Sequence, residues 1–154
     1  MGPTNNIGYL MMHLAKVFAQ QNDQALQERL GIGFSSYKIL MMLQHSPMMQ
    51  QRQIAELLGQ TEASVSRQIK GLVDSGWLSS QVSPRNRREH LTSLTTKGER
   101  LVAEALAVLN ETHAEMFGAL TEKQREELLQ TLTIMHRYAC QNGKAGACHK
   151  PIRD

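Results

Sequence analysis

Hydrophobic positions at helical spacing mark most of this chain. Ile7, Met11, Leu14 and Phe18 fall on one face of a helix that Asn5 or Asn6 can cap. Leu26 and Leu30 continue it until Gly31 and Gly33 break it. A second helix starts near Ser35 and carries Tyr37, Ile39, Leu40, Met41 and Leu43. It stops before Pro47, which pushes Ser46 out of the α region. The pattern resumes with Thr96 and Glu99, at the spacing of a capping box. Val102, Leu106, Leu109, His113 and Met116 line one side of the long helix that follows, and Leu101, Ala105 and Val108 broaden that side. A break near Gly118 and Leu120 precedes a second box, Thr121 and Gln124. The last helix runs to about Cys140, with Leu128, Leu132 and Met135 as its stripe.

Between these helices, residues 50–88 have a different character. An apolar helix carrying Ala55 ends at Gly59, which takes positive φ without steric cost. Thr61 stands where an N-cap belongs, and a second helix runs to about Ser75. Ala55, Gly59 and Val65 supply a small residue for close approach, a turn and an apolar corner, as a helix-turn-helix requires. Gly76 ends the second helix, and Trp77, Leu78 and Val82 anchor a short strand on the helices. Ser83 to Arg88 is a turn with Pro84, Asn86 and three arginines, and Leu91 and Leu94 mark the return strand. A helix-turn-helix followed by a basic hairpin is a winged helix. Its second helix suits a DNA major groove and its hairpin tip an adjacent minor groove.

Charge sharpens this picture. The net charge is only +3, but from Arg52 to Arg88 six Lys/Arg face three Asp/Glu, and the outer segments are nearer neutral. A basic patch confined to the reading elements favours a nucleic-acid face. No apolar run approaches a membrane span, and MGPTNN lacks the basic start and apolar core of a signal peptide, so a cytoplasmic location is expected. With 154 residues, about two-fifths hydrophobic, one domain with a sizeable core is expected.

The stretches SVSRQIKGLVDSGWL and SPRNRREHLTSLTTKGERL resemble the signature of the MarR/SlyA family of bacterial transcription regulators. The likeness runs roughly from Leu10 to Cys140, and the motif from Ser64 to Gly98 holds helix, hairpin and LTxxG turn in order. It departs from the family at the wing tip, where Asn86 stands for the usual Asp, ahead of Arg87 and Arg88. Asn accepts a hydrogen bond but not a charge-assisted one.

The expected fold is mainly α: a winged helix-turn-helix of three helices and a small antiparallel hairpin, over 35–98. It is flanked by dimerisation helices at 1–34 and 99–140, with a loose tail at 141–154. The layout itself asks for a dimer, because the end helices are apolar over a wide arc that the small head cannot cover. The resemblance implies the same homodimer, with two heads on a pseudo-palindromic operator in double-stranded DNA and a ligand-responsive repressor's role.

Thr61, Glu62, Ser64, Ser66, Arg67, Gln68 and Lys70 lie away from the apolar side of the recognition helix. Arg67 suits guanine O6 and N7 or a phosphate, and Gln68 suits adenine N6 and N7. Ser83, Arg85, Asn86, Arg87 and Arg88 make the wing, and Arg88 matches the family's minor-groove arginine. The plain alternative is a set of solvated polar residues, against which stands the wing in register with the helix. In relatives a pocket for small aromatic acids or phenols lies where dimer helices meet the head. His13, Lys16, Tyr37 and Met41 are its candidates here, against core packing for Tyr37 and Met41 and a surface place for His13 and Lys16. The pairs Met11-Met12, Met41-Met42 and Met48-Met49 read as core filler, with ligand adaptation or oxidation as the other uses.

Cys140 and Cys148 make no disulfide scaffold, and with His149 beside the second they lack a fourth ligand for a metal. A redox-responsive regulator using them is one alternative, and a winged helix that docks a protein is another. No Gly-rich phosphate loop, HExxH or GxSxG occurs, so neither an enzyme nor a cofactor is expected.

Overall fold

The structure is a computed structural model that describes residues 6–84, 86 and 90–141, with the backbone alone at Cys140 and Gln141. The expected tail beyond 141 lies outside the described residues, as do Asn5, Arg85, Arg87 and Arg88.

Helix α1 (Ile7–Leu30) opens on Asn6, whose side chain accepts the Tyr9 amide at 3.0 Å, and closes at Gly31. Helix α2 (Phe34–His45) follows at once. Its N-cap, Gly33, has no side chain to offer, so Asp23 of α1 accepts the Phe34 amide instead, at 2.8 Å. Met48 then takes φ 63, in the left-handed region, and leads into β1 (Met49–Gln50). Helices α3 (Gln51–Leu58) and α4 (Glu62–Asp74) are the helix-turn-helix, and Gly59 makes the turn at φ 61. Strands β2 (Leu78–Val82) and β3 (His90–Leu94) form the hairpin. Helices α5 (Thr96–Gly118) and α6 (Glu122–Gln141) complete the chain. The sheet is antiparallel in the order β1-β3-β2, so β1, which hydrophobic patterning did not mark, is its third strand.

One core joins these elements. Leu26 of α1, Ile39, Leu40 and Leu43 of α2, Ile54 of α3 and Val65 and Ile69 of α4 are buried together. Leu101, Val102, Ala105, Val108 and Leu109 cover them from α5. Across α1 and α5 the Phe18 ring meets His113 edge-on, centroids 4.5 Å apart. His113 Nε2 lies 2.6 Å from Asn22 Oδ1, while buried Nδ1 has no partner among the described residues. Burial holds the His113 imidazole below its ordinary pKa. Arg29 and Glu111 pair at the far end of the same contact.

Three expectations change. The cap of α5 is Thr95, not Thr96: the Thr95 side chain accepts the Gly98 amide at 3.1 Å, and Thr96 is already helical. Val82 does not anchor the hairpin on the helices, because β2 runs past the core and leaves it 52% exposed. Leu106 is exposed too, at the edge of the buried arc of α5. The second capping box forms as expected: Thr121 and Gln124 exchange bonds of 2.9 and 3.2 Å.

Gly98 shows why the LTxxG turn has a glycine. A Cβ there would stand 2.1 Å from the Trp77 carbonyl oxygen and 3.0 Å from a Leu94 methyl. Gly98→Ala is therefore expected to lower unfolding free energy by about 1–3 kcal/mol, the usual range for overpacking. A denaturant midpoint equal to the wild type would contradict this close approach.

Candidate nucleic-acid interface

Helix α4 is set by its apolar side. Val65, Ile69 and Leu72 recur at spacings of four and three and are buried, so the helix cannot rotate without exposing them. Its start is fixed by Thr61, whose hydroxyl accepts the Ser64 amide at 3.2 Å. Its end is fixed by the Trp77 amide, which donates to the Leu72 carbonyl at 3.0 Å. The opposite face is thereby turned to solvent and carries Glu62, Ser66, Arg67 and Lys70, all exposed. Among the described residues the ion pairs are Arg29–Glu111, Arg52–Glu56 and Lys123–Glu127, and none engages Arg67 or Lys70. Arg52 of α3 differs: its hydrogen bond to Glu56 and the charges of Glu56 and Glu62 raise its pKa further. Glu62, in the first turn, suits the helix dipole and competes there with a phosphate.

The remaining recognition-helix candidates are placed otherwise. The Thr61 hydroxyl caps the helix, and Ser64 is half-buried. Gln68 is half-buried as well, and its side-chain amide donates to Gln60 Oε1 at 2.8 Å. Gln60 belongs to the turn between α3 and α4, and its own amide donates to Ser35 Oγ of α2, also at 2.8 Å. Neither contact is visible as local spacing, because the two pairs are 8 and 25 residues apart.

The hairpin leaves the body beside α4. Leu78 is buried at its base, and Ser79 and Ser93 hydroxyls meet across the strands at 2.9 Å. Ser83 is buried where the turn begins, and Asn86 is exposed at the tip. The wing arginines Arg85, Arg87 and Arg88 lie outside the described residues.

A cleft of about 560 Å³ opens between α1, α2 and the α3–α4 turn. Lys16, Gln20, Phe34, Ser35, Lys38 and Gln60 are among the residues lining it. Of the four pocket candidates it receives Lys16. Tyr37 is turned into the core, which raises its phenol pKa, and its ring stacks on Phe34 at 6.1 Å. Met41 packs half-buried against the same core, and His13 stacks on Tyr9 along α1. The cleft side of α2 is the one carrying Phe34, Ser35 and Lys38, so Lys38, Ser35 and Gln60 are cleft residues that sequence reasoning missed. Among the described residues no cluster of His, Cys, Asp and Glu could hold a metal, and no helix is long and apolar enough to cross a membrane. Cys148 and the Cys140 side chain lie outside the described residues.

Fold and site together define a winged helix-turn-helix protein with long helices at both chain ends. The sequence model of the MarR family matches residues 34–90 of the chain. Its fold is similar to wild-type apo MarR of E. coli, at TM-score 0.78 and 20% identity, over 84% of this chain and 96% of that one. It is similar to a MarR transcriptional regulator of Methanosarcina mazei Go1, at 0.75 and 25%, over 88% and 96%. It also resembles the Mycobacterium tuberculosis MarR family protein Rv2887 in complex with p-aminosalicylic acid, at 0.71 and 25%, over 84% and 98%.

Thr61→Ala removes the α4 cap and is expected to destabilise the protein by about 0.5–2 kcal/mol. Urea titration reads this directly; an unshifted midpoint would mean that the cap contributes nothing.

Proposed function

We propose that the chain is a homodimeric, ligand-responsive transcriptional repressor of the bacterial cytoplasm, binding a pseudo-palindromic operator in double-stranded DNA. The observation that carries this reading is a division of the surface. The outer face of α4 is polar and basic, with Ser66, Arg67 and Lys70 exposed. The end helices instead leave large apolar side chains uncovered: Met12 is 77% exposed, Ile134 68% and Tyr138 73%. A second copy would cover both ends and set two reading heads on one duplex. On this reading 1–34 and 99–140 pair the chains, 35–98 reads DNA and 141–154 is a tail.

Arg67 contacts a guanine or a phosphate, Lys70 and Ser66 hold phosphates, and the wing residues Ser83, Arg85, Asn86, Arg87 and Arg88 reach the minor groove. The protein acts by binding alone, with no catalytic step and no cofactor. Its effector is a small aromatic or phenolic compound. The cleft supports this, since Lys16 and Lys38 offer cations to an acidic group beside the Phe34 ring. So does the p-aminosalicylic acid complex of the M. tuberculosis relative. The effector acts through its differential affinity for two spacings of the heads, favouring one that no longer fits consecutive grooves.

Arg67→Ala is expected to weaken operator binding by about 1–3 kcal/mol where the residue reads a base. Sedimentation equilibrium at micromolar concentration should give the mass of two chains. A one-chain mass, or operator affinity untouched by the substitution, contradicts the proposal.

A further inference from the structure

Gln68 stands apart from its neighbours on α4. Arg67 and Lys70 point to solvent, while the Gln68 amide is folded back into the head. Its Nε2 donates to Gln60 Oε1 at 2.8 Å and lies 3.3 and 3.4 Å from the hydroxyl and carbonyl oxygens of Ser64. Gln60 Nε2 donates onward to Ser35 Oγ at 2.8 Å. A line of side chains thus runs from α2, through the α3–α4 turn, to the recognition helix. Its inner end is incomplete, because Gln68 Oε1 is buried without a partner among the described residues. A buried acceptor that meets no donor raises the energy of the arrangement that holds it. Turned outward, the same amide can use both its oxygen and its nitrogen on one adenine edge, at N6 and N7.

We propose that Gln60 is a latch that parks Gln68 in the free head, and that Gln68 swings out onto an adenine when the head meets its site. The inference rests on the DNA-reading role proposed above and adds a positioning residue to it. Gln60 touches no base; it sets how readily Gln68 leaves. Two discrete positions of one side chain make the device a switch rather than a graded adjustment. Its outer end is in the cleft wall, where Ser35 and Gln60 both lie. That is the point at which cleft contents meet the reading helix.

The test uses the full-length protein, a site selected from random duplexes and variants of it with each A·T pair replaced in turn. Gln68→Ala should weaken binding and become indifferent at one adenine of each half-site. Gln60→Ala should tighten binding to the selected site by about three- to tenfold, the size of one ordinary hydrogen bond, and sharpen the preference at that same adenine. The gain should vanish in the Gln60→Ala/Gln68→Ala protein, and Ser35→Ala should act in the same direction more weakly.

A purely structural Gln60 would instead lower affinity for all sequences alike, and that result overturns the latch. So does a Gln60→Ala effect of equal size with and without Gln68. Without DNA, the side-chain amide protons of Gln68 should exchange slowly in the wild type and faster in Gln60→Ala; equal rates also overturn it. A wild type that prefers no sequence refutes the reading role itself, which separates that failure from failure of the latch alone.

Discussion

The corner made by Thr95 and Gly98 holds α4, the hairpin and α5 in one frame. The Thr95 amide donates to the Trp77 carbonyl at 3.1 Å. Its hydroxyl donates to the Gly76 carbonyl at 2.7 Å and accepts the Gly98 amide at 3.1 Å. Lys97 adds a bond to the Ser75 carbonyl at 2.8 Å, with its ammonium 5.6 Å from the Trp77 ring centre. These contacts tie the end of α4, the base of the hairpin and the start of α5 to one point. Displacing α4, the base of the hairpin or α5 relative to the others therefore breaks these bonds. The absent Cβ at Gly98 is what lets the backbones come this close.

The same frame relates the head to the rest of the chain. Helix α5 also packs on α1 through Phe18, Asn22 and His113, and α1 caps α2 through Asp23. The His113–Asn22 and Asp23–Phe34 contacts are hydrogen bonds between particular partners, so sliding one helix along another breaks them. The cleft lies inside this set of helices rather than at the tip of the molecule, bounded by α1, α2 and the turn leading into α4. On the proposed reading, an effector there acts on elements that already share bonds with the recognition helix.

Much of this could be read from residue order, for reasons that particular residues explain. Local signals were sufficient where one element decides its own ends: Asn6, Gly31, Gly59 and Thr61 each stop or start a helix as their chemistry dictates. The exposed face of α4 followed from Val65, Ile69 and Leu72, since burying them fixes the rest. Local signals failed where a distant group decides. Thr96 and Glu99 have the local spacing of a capping box, yet Thr95 is the cap, its hydroxyl also bound to the Gly76 carbonyl 19 residues away. Strand β1 has two residues and exists through its pairing with β3. Tyr37 and Lys38 are adjacent, yet one enters the core and the other the cleft, which the periodicity of α2 alone did not separate. The inward turn of Gln68 needed Gln60 and Ser35, and no spacing rule links those three.

On the proposed reading, two copies of this chain present paired heads to one duplex. Selection of bound sequences from random double-stranded oligonucleotides by the purified full-length protein tests it most directly. The expected product is an inverted repeat whose half-sites are centred about 10–10.5 base pairs apart, one turn of the helix. Recovery of single half-sites without a partner, or of no shared sequence at all, would contradict it.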